Sequence, residues 1–145
     1  MPIIYYNHSV MVRSQAITVS EKRMAELERL LTDFCNQTNT VWAIFTTLTG
    51  QLLAQRGFVY SFDVLTIAAL ACGVFNSTME LARIIGEERF SQFLQEGKSH
   101  SIYYTCVNDD YLLVSLFDDR TLAGVVKVAS EVFSKEVGKI LKDGL

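Results

Sequence analysis

The chain has 145 residues, of which 50% are hydrophobic and 20% are charged, and its formal net charge is −3. Because soluble domains carry about 25% charged residues, this chain is apolar for its size, and its length suits a single domain. The composition excludes disorder, collagen-like repeats and Cys-dense scaffolds, since it holds one Pro and three Cys. The apolar excess therefore needs a large core, a membrane segment or a surface shared with another chain.

Charge and cysteine usage exclude further classes of protein. Nucleic-acid binders contact phosphates through a basic stripe, whereas the longest basic cluster here is Lys22-Arg23. Cys35, Cys72 and Cys106 lie in separate apolar runs, which favours free buried thiols in a reducing cytoplasm over disulfides or a zinc site. The N-terminus lacks the positive region that precedes the apolar stretch of a signal peptide, so we expect a cytoplasmic protein.

The first predicted element is a helix that follows a weakly patterned segment. Residues 1–17 are assigned to a separate N-terminal segment, which is either a short extra strand from Ile3 to Tyr6 or a tail. Residues 18–145 are expected to form one domain. The capping-box pattern from Thr18 to Glu21 predicts that the helix starts near Thr18. Asn36 to Asn39 ends it.

A β-hairpin is predicted next. Two strand-like runs, Val41 to Leu48 and Gln51 to Arg56, are joined by Thr49-Gly50, which has the chemistry of a turn. The first run is apolar on both faces, which is typical of a central strand.

The second half of the chain alternates between helix and strand. A long helix is predicted from Asp63 to about Ile85, with Gly86 at its C-terminal cap. Three extended runs follow and then a last helix, and their limits are Phe90 to Glu96, Ser101 to Val107, Tyr111 to Phe117, and about Asp119 to Gly144. The third run is again apolar on both faces and predicts a second central strand. Because hairpin-length turns join the strands, the order α-β-β-α-β-β-β-α predicts an α+β fold with a mainly antiparallel sheet covered by helices.

The middle helix is apolar on two opposite faces. One face carries Leu65, Ala68, Cys72, Phe75, Met79, Ala82 and Ile85, and the other carries Ile67, Leu70, Val74, Leu81 and Ile84. A helix that packs on a sheet needs one apolar stripe, so the second face needs a separate cover. A second subunit related by a two-fold axis would supply that cover. In the alternative, a monomer, residues 1–17 fold over the helix.

A membrane span is not expected. The longest uncharged apolar stretch, Val64 to Met79, has 16 residues, which is shorter than the roughly 20 that a spanning helix needs. It also contains polar residues and a glycine.

No group of residues predicts chemistry of its own. His8 and His100 lack Cys, Asp or Glu at the spacing of metal ligands, and the glycines are isolated and form no phosphate loop. Cys72 lies in an apolar helix, which favours a core or interface thiol over a nucleophile. We therefore expect no catalytic residues, no cofactor and no metal.

Several segments together resemble one protein family. Over about residues 20–142 the chain resembles the roadblock family, relatives of a dynein light chain, and looks most like its bacterial gliding-protein B branch. The stretch Gly86-Glu-Glu-Arg-Phe90 is the most branch-specific part, and Thr47 and Thr49 depart from the family by standing where an Asp usually precedes the hairpin Gly. The other matching segments are Val41 to Ala54, the Ala-rich helix from Asp63, Gln95 to Gly97, Tyr111 to Phe117 and Leu122 to Val128.

The resemblance implies a roadblock, profilin-like fold, in which a five-stranded antiparallel sheet lies between one helix and a pair. It also implies a dimer, either with itself or with a close paralogue, through the middle helix and the strand from Phe90 to Glu96. The residues that the resemblance assigns to this dimer interface are Leu65, Ala68, Cys72, Phe75, Met79, Phe90, Gln92 and Leu94.

A Ras-like small GTPase is the partner that the gliding-protein B resemblance implies. In that branch the dimer accelerates GTP hydrolysis by remodelling the switch region of the GTPase, without donating catalytic residues. Met79, Arg83 and Glu87 would face the GTPase. Two other functions stay open, namely a non-catalytic scaffold subunit of a GTPase or motor assembly, and a small-ligand sensor.

Overall fold

The computed structural model describes the backbone of residues 7–57 and 63–142, and the side chains of residues 21–57 and 63–142. Its elements follow the order predicted from the sequence, and the fold is α+β. They are α1 (Asn7–Thr38), β1 (Trp42–Thr47), β2 (Leu52–Arg56), α2 (Val64–Ile85), β3 (Gln92–Glu96), β4 (Ser101–Val107), β5 (Tyr111–Phe117) and α3 (Ala123–Ile140).

The first helix begins earlier than its sequence predicts. It starts at Asn7, so Thr18 lies inside the helix and the predicted helix start was wrong. A capping residue satisfies amide groups that have no partner in the helix, whereas the helical backbone continues upstream of Thr18. The predicted strand from Ile3 to Tyr6 lies outside the described residues.

The five strands form one antiparallel sheet in the order β2-β1-β5-β4-β3. The strands β1 and β5 are neighbours, with Ile44 opposite Val114 and Phe45 opposite Leu113. Each has a neighbour on both sides, so the prediction that these two doubly apolar runs are central strands is confirmed. The two edges of the sheet are β2 and β3.

Helices cover both faces of the sheet. Leu31 and Phe34 of α1 and Phe133 of α3 belong to one core cluster, which includes Phe45 and Leu113 of the sheet. The ring of Phe45 stacks on Tyr111 at 5.5 Å and meets the edge of Phe133 at 5.6 Å. In the described part of the chain the helix that covers the other face is α2, so the predicted arrangement of one helix opposite a pair is confirmed.

The departure at Thr47 and Thr49 affects the β1–β2 turn only. The Thr47 hydroxyl accepts a hydrogen bond from the Gln51 N–H at 3.1 Å, and the two threonine hydroxyls lie 2.9 Å apart. Gly50 adopts a positive φ of 96° in this turn, a conformation that a residue without a Cβ adopts at little cost. Hydroxyl groups therefore hold the turn without a carboxylate.

A candidate protein interface on the middle helix and the adjacent edge strand

Small residues and three polar contacts fix the orientation of α2 on the sheet. Ala68 and Phe75 are fully covered by the sheet, and Cys72 is 4% exposed. The Cys72 thiol donates to the Thr47 carbonyl at 3.3 Å and lies 3.3 Å from the Thr46 hydroxyl. On one flank of the helix, the Asn76 amide donates to the Leu48 carbonyl at 3.0 Å. These contacts bury one side of α2 in the core.

At its C-terminal end α2 is closed by Gly86, as the sequence predicts. Gly86 has a φ of 82°, in the left-handed region, and its N–H bonds to the Arg83 carbonyl at 3.3 Å. The next amide, that of Glu87, donates to the Ala82 carbonyl at 2.8 Å. This pattern satisfies carbonyls that would otherwise lack a partner at the helix end, and it turns the chain toward β3.

The side of α2 that faces away from the sheet is apolar and exposed. Leu70 is 65% exposed and Ile84 is 68% exposed, although both are large aliphatic residues. Leu81 and Ile85 belong to the same outward surface, and Ala69, Gly73 and Ser77 form a shallow groove beside them. Contiguous apolar surface of this kind marks interaction sites in soluble proteins. We call this surface the outward face of α2.

The residues of α2 predicted at the dimer interface divide between the two sides of the helix. Ala68, Cys72 and Phe75 are buried against the sheet within a single chain. Both faces of the helix are apolar, and periodicity does not say which one the sheet takes. The sheet takes the face with the smaller residues, which lets the helix lie close to it. Leu65, also predicted at the interface, is exposed.

The edge strand β3 has free backbone groups on its outer side. The Cys106 N–H bonds to the Ser91 carbonyl at 2.8 Å, and the Gly97 N–H bonds to the His100 carbonyl at 2.9 Å. Because residues of an antiparallel strand alternate between bonding inward and pointing outward, the N–H and C=O groups of Gln92, Leu94 and Glu96 point away from β4. Such an edge can pair with another strand.

Side chains of β4 hold β3 from both faces of the sheet. The Tyr103 hydroxyl donates to Oε1 of Gln92 at 2.6 Å, and the Tyr104 hydroxyl donates to Oε1 of Gln95 at 2.5 Å. Burial raises the pKa of both tyrosines, and the carboxylate of Glu131 raises the pKa of Tyr103 further. Both phenols therefore remain protonated donors at neutral pH.

The predicted interface residues on and beside β3 are accessible. Phe90 and Gln92 are half-buried and Leu94 is exposed. The amide of Gln92 is engaged by Tyr103, so its side chain serves the chain's own sheet, whereas its backbone stays free at the edge.

A cavity between α2 and the sheet extends from Leu70 on the outward face of α2 to Gln95 on β3. Its volume is about 290 Å³ and its walls are mainly apolar. The lining residues come from α2, from three strands of the sheet and from the edge strand, and they are Trp42, Ile67, Leu70, Ala71, Val74, Gln95, Ile102, Tyr104 and Val114. The exposed helix face and the open strand edge therefore form one continuous surface.

The residues predicted to face a GTPase lie at the end of α2. Met79 is half-buried, whereas Arg83 and Glu87 are exposed. The Nε of Arg83 donates to Oε1 of Glu80 at 3.2 Å. The hydrogen bond from Arg83 lowers the pKa of Glu80, and the nearby positive charge lowers it further. Arg83 is thus held along its own helix, and the structure places the three predicted residues near one end of the helix.

The three thiols and His100, the histidine whose side chain is described, lie in separate parts of the fold. All three cysteines are free, and burial raises the pKa of Cys35 and of Cys106. Cys72 is buried between α2 and the sheet, and the core is one of the two settings, core or interface, that its apolar helix predicted. His100 is exposed in the β3–β4 turn. Within residues 21–57 and 63–142, no three His, Cys, Asp or Glu side chains lie together as a metal site would require.

By length and composition α2 would be able to cross a membrane, and it is the one helix in the described part of the chain that meets this criterion. One side of the helix packs on the sheet through Ala68, Cys72 and Phe75. In a membrane-spanning helix those side chains would face lipid or other helices. Their packing on the sheet therefore supports α2 as an element of the folded domain.

A sheet between one helix and a pair, with an apolar helix face beside an open edge strand, defines a roadblock-fold domain.

No protein-family model matches the chain, and no curated protein sequence does. Solved structures do match. Myxococcus xanthus MglB has a TM-score of 0.76 and 29% identity over 79% of this chain and 94% of that chain. The gliding protein MglB from Thermus thermophilus has a TM-score of 0.74 and 22% identity over 98% and 96%.

Two further structures agree with this fold. An MglB described as having a tetrameric arrangement has a TM-score of 0.78 and 22% identity over 85% of this chain and 93% of that chain. A Roadblock/LC7 domain from Streptomyces avermitilis has a TM-score of 0.72 and 18% identity over 77% and 94%. The chain therefore has the fold of the roadblock family and is similar to MglB, as its sequence predicted.

Proposed function

We propose that this protein is a cytoplasmic, dimeric regulator of a Ras-like small GTPase. The observation that carries the proposal is the continuous surface formed by the outward face of α2 and the open edge of β3. The similarity of the chain to MglB adds support, because the resemblance to the gliding-protein B branch implies a Ras-like small GTPase as the partner. A large exposed apolar surface on a small domain needs a protein cover.

A second copy of the chain would cover this surface with two-fold symmetry. If β3 pairs with the partner's β3 in antiparallel register about Leu94, the outward groups of Gln92 meet those of Glu96 of the other copy. The same axis brings together Leu70 and Leu81 of both copies, so each patch is covered by its own equivalent. Strand pairing fixes the register, and the aliphatic side chains supply the burial that a stable interface of about 800 Å² per subunit requires.

The GTPase would bind at the end of α2, where Met79, Arg83 and Glu87 lie. Arg83 is bonded to Glu80 rather than free to extend, which suits recognition of a surface better than insertion into a nucleotide site. The regulator would then act on the conformation of the GTPase and leave the chemistry to the residues of the GTPase. If binding raises the population of the active conformation of the GTPase switch region, GTP hydrolysis is accelerated.

The test is single-turnover GTP hydrolysis by a cognate Ras-like GTPase, measured with and without the protein. Acceleration that depends on protein concentration supports the proposal, and Glu87→Lys should weaken it. Lys98→Glu, in the exposed turn after β3, is the matched charge-reversal control and should leave it unchanged. Binding without acceleration would identify a scaffold subunit, and the absence of both binding and acceleration would overturn the proposal.

A further inference from the structure

The third helix carries apolar residues on its solvent side and hydroxyl groups on its sheet side. Val128 is 59% exposed and Val132 is 53% exposed. Ser130 is fully buried, and its neighbour one turn later, Ser134, is half-buried. Val126, Phe133 and Val137 are buried on the same side of the helix, so the hydroxyl groups interrupt a contact that is otherwise apolar.

The sheet presents two more hydroxyl groups to this contact. Thr105 of β4 lies opposite Leu113, and Ser115 of β5 lies opposite Tyr103. Leu113 and Tyr103 belong to the core cluster on the α1 and α3 side, so the two hydroxyls face the same layer as α3. Both residues are almost fully buried.

Among the side chains of residues 21–57 and 63–142, none of these four hydroxyl oxygens has a hydrogen-bond partner. A buried hydroxyl without a partner has lost its hydration and gained nothing in return, which weakens the contact that buries it. Four such groups lie in the layer between the sheet and the pair of helices α1 and α3. The closed position of α3 is therefore less stable than its buried area indicates.

The attachment of α3 is uneven around its circumference. Toward α1 it is apolar, and the ring of Phe133 meets Phe34 at 5.9 Å. Toward the edge strand it consists of a long hydrogen bond of 3.5 Å from Nε2 of Gln92 to Glu131. At its C-terminal end, the Asn108 amide donates to the Gly138 carbonyl at 3.3 Å. The core side chains of α3 thus hold the helix on α1 and on the sheet, whereas its attachments to β3 and at its C-terminal end are polar.

We propose that α3 is a separable layer, whose contact with β3 and β4 opens locally while α2 and the sheet stay folded. The apolar contact with α1 acts as the hinge, and the unpaired hydroxyl groups lower the free energy that opening requires. Opening also breaks the link between Glu131 and Gln92, so the position of α3 is transmitted to the edge strand. Once it has left the sheet, an 18-residue helix is marginally stable in water, and its amides exchange with solvent.

The test is native-state hydrogen exchange of the full chain, read by mass spectrometry for each element. Peptides from α3 are expected to exchange at least about tenfold faster than peptides from β1 and β5, because sub-global opening costs less free energy than global unfolding. Thr105→Val, which removes one unpaired hydroxyl from the strand, should slow exchange of α3 by about fivefold. Because the substitution lies outside α3, helix propensity cannot produce this change.

Thr46→Val is the matched control. Thr46 is as deeply buried as Thr105, but its hydroxyl faces α2 and lies 3.3 Å from the Cys72 thiol. It should leave exchange of α3 unchanged. Ser115→Ala provides a second variant of the same kind as Thr105→Val should that protein fail to fold. Equal exchange of α3 and β5 in the unmodified protein, or equal slowing of all elements in Thr105→Val, would overturn the proposal.

Discussion

Tyr103 donates a hydrogen bond of 2.6 Å to Gln92, and this bond ties the edge strand of the sheet to its neighbour through side chains as well as backbone. The adjacent residue on β4, Tyr104, makes an equivalent bond to Gln95 on the opposite face of the sheet. The edge strand is thereby clamped from above and below. An edge held flat in this way keeps its outward backbone groups in register for a pairing partner.

Loss of the clamp is predicted to weaken the edge strand. Tyr103→Phe removes the hydroxyl and should lower the free energy of unfolding by about 1 kcal/mol. A double-mutant cycle with Gln92→Met, measured by urea denaturation, isolates the pair. A coupling energy close to zero would show that the bond contributes nothing to stability.

The outward face of α2 is predicted to control association. Leu70→Asp places a charge on a residue that is 65% exposed in one chain, so the domain should fold normally. At an interface between two copies, the same charge would be buried without a partner, so the two copies would dissociate. Analytical ultracentrifugation should show a dimer for the unmodified chain and a monomer for Leu70→Asp.

Two controls separate association from folding. Val128→Asp, on the exposed side of α3, should leave the dimer intact. Ala68→Asp, two residues before Leu70 and on the opposite side of α2, buries the charge against the sheet and should unfold the domain instead. Unchanged mass for Leu70→Asp would place the interface elsewhere.

The order and type of the elements followed from the sequence because they depend on local patterns. Alternation and doubly apolar runs identified β1 and β5, and the left-handed glycine at Gly86 marked the end of α2. The start of α1 was missed because residues 7–17 lack a clear apolar stripe, so Thr18 was the first visible start signal. The helix extends beyond that signal, which no local pattern in this segment indicates.

The candidate site was less accessible to sequence reasoning. A surplus apolar face on α2 was visible, but its direction depends on which side the sheet takes, and that is a tertiary choice. Small residues at Ala68, Ala71 and Ala82 were a usable signal, since they allow a helix to approach a sheet closely. The clamp between Tyr103 and Gln92 depends on the pairing register of β3 and β4, and no spacing in the chain reveals it.

Acid is predicted to weaken the turn that precedes α3. Asp118 accepts hydrogen bonds from the backbone N–H of Arg120 at 3.1 Å and from its Nε at 2.9 Å. These bonds hold the pKa of Asp118 below its ordinary value of 3.8. Because the folded pKa is lowered, the stabilisation is complete above about pH 4 and is lost as the pH falls through the folded value.

The variant Asp118→Asn should therefore be less stable than the unmodified chain at pH 7, by a small amount because the pair is exposed to solvent. The difference should shrink as the pH falls below the ordinary carboxyl range. Urea denaturation at pH 7 and at low pH measures both. A difference that does not change with pH would assign the loss to geometry rather than to charge.

Removal of a buried hydroxyl is predicted to have opposite consequences on the two faces of the sheet. Thr105 has no hydrogen-bond partner, so Thr105→Val removes a desolvated polar group and should raise the free energy of unfolding by about 1 kcal/mol. Thr46 contacts the Cys72 thiol, so Thr46→Val exchanges a hydrogen bond for a methyl group and should bring no such gain. Both residues are β-branched and lie in strands, so strand propensity is matched between the variants. Urea denaturation should give Thr105→Val a free energy of unfolding about 1 kcal/mol higher than that of Thr46→Val. Equal values would show that the Thr105 hydroxyl has a hydrogen-bond partner in solution.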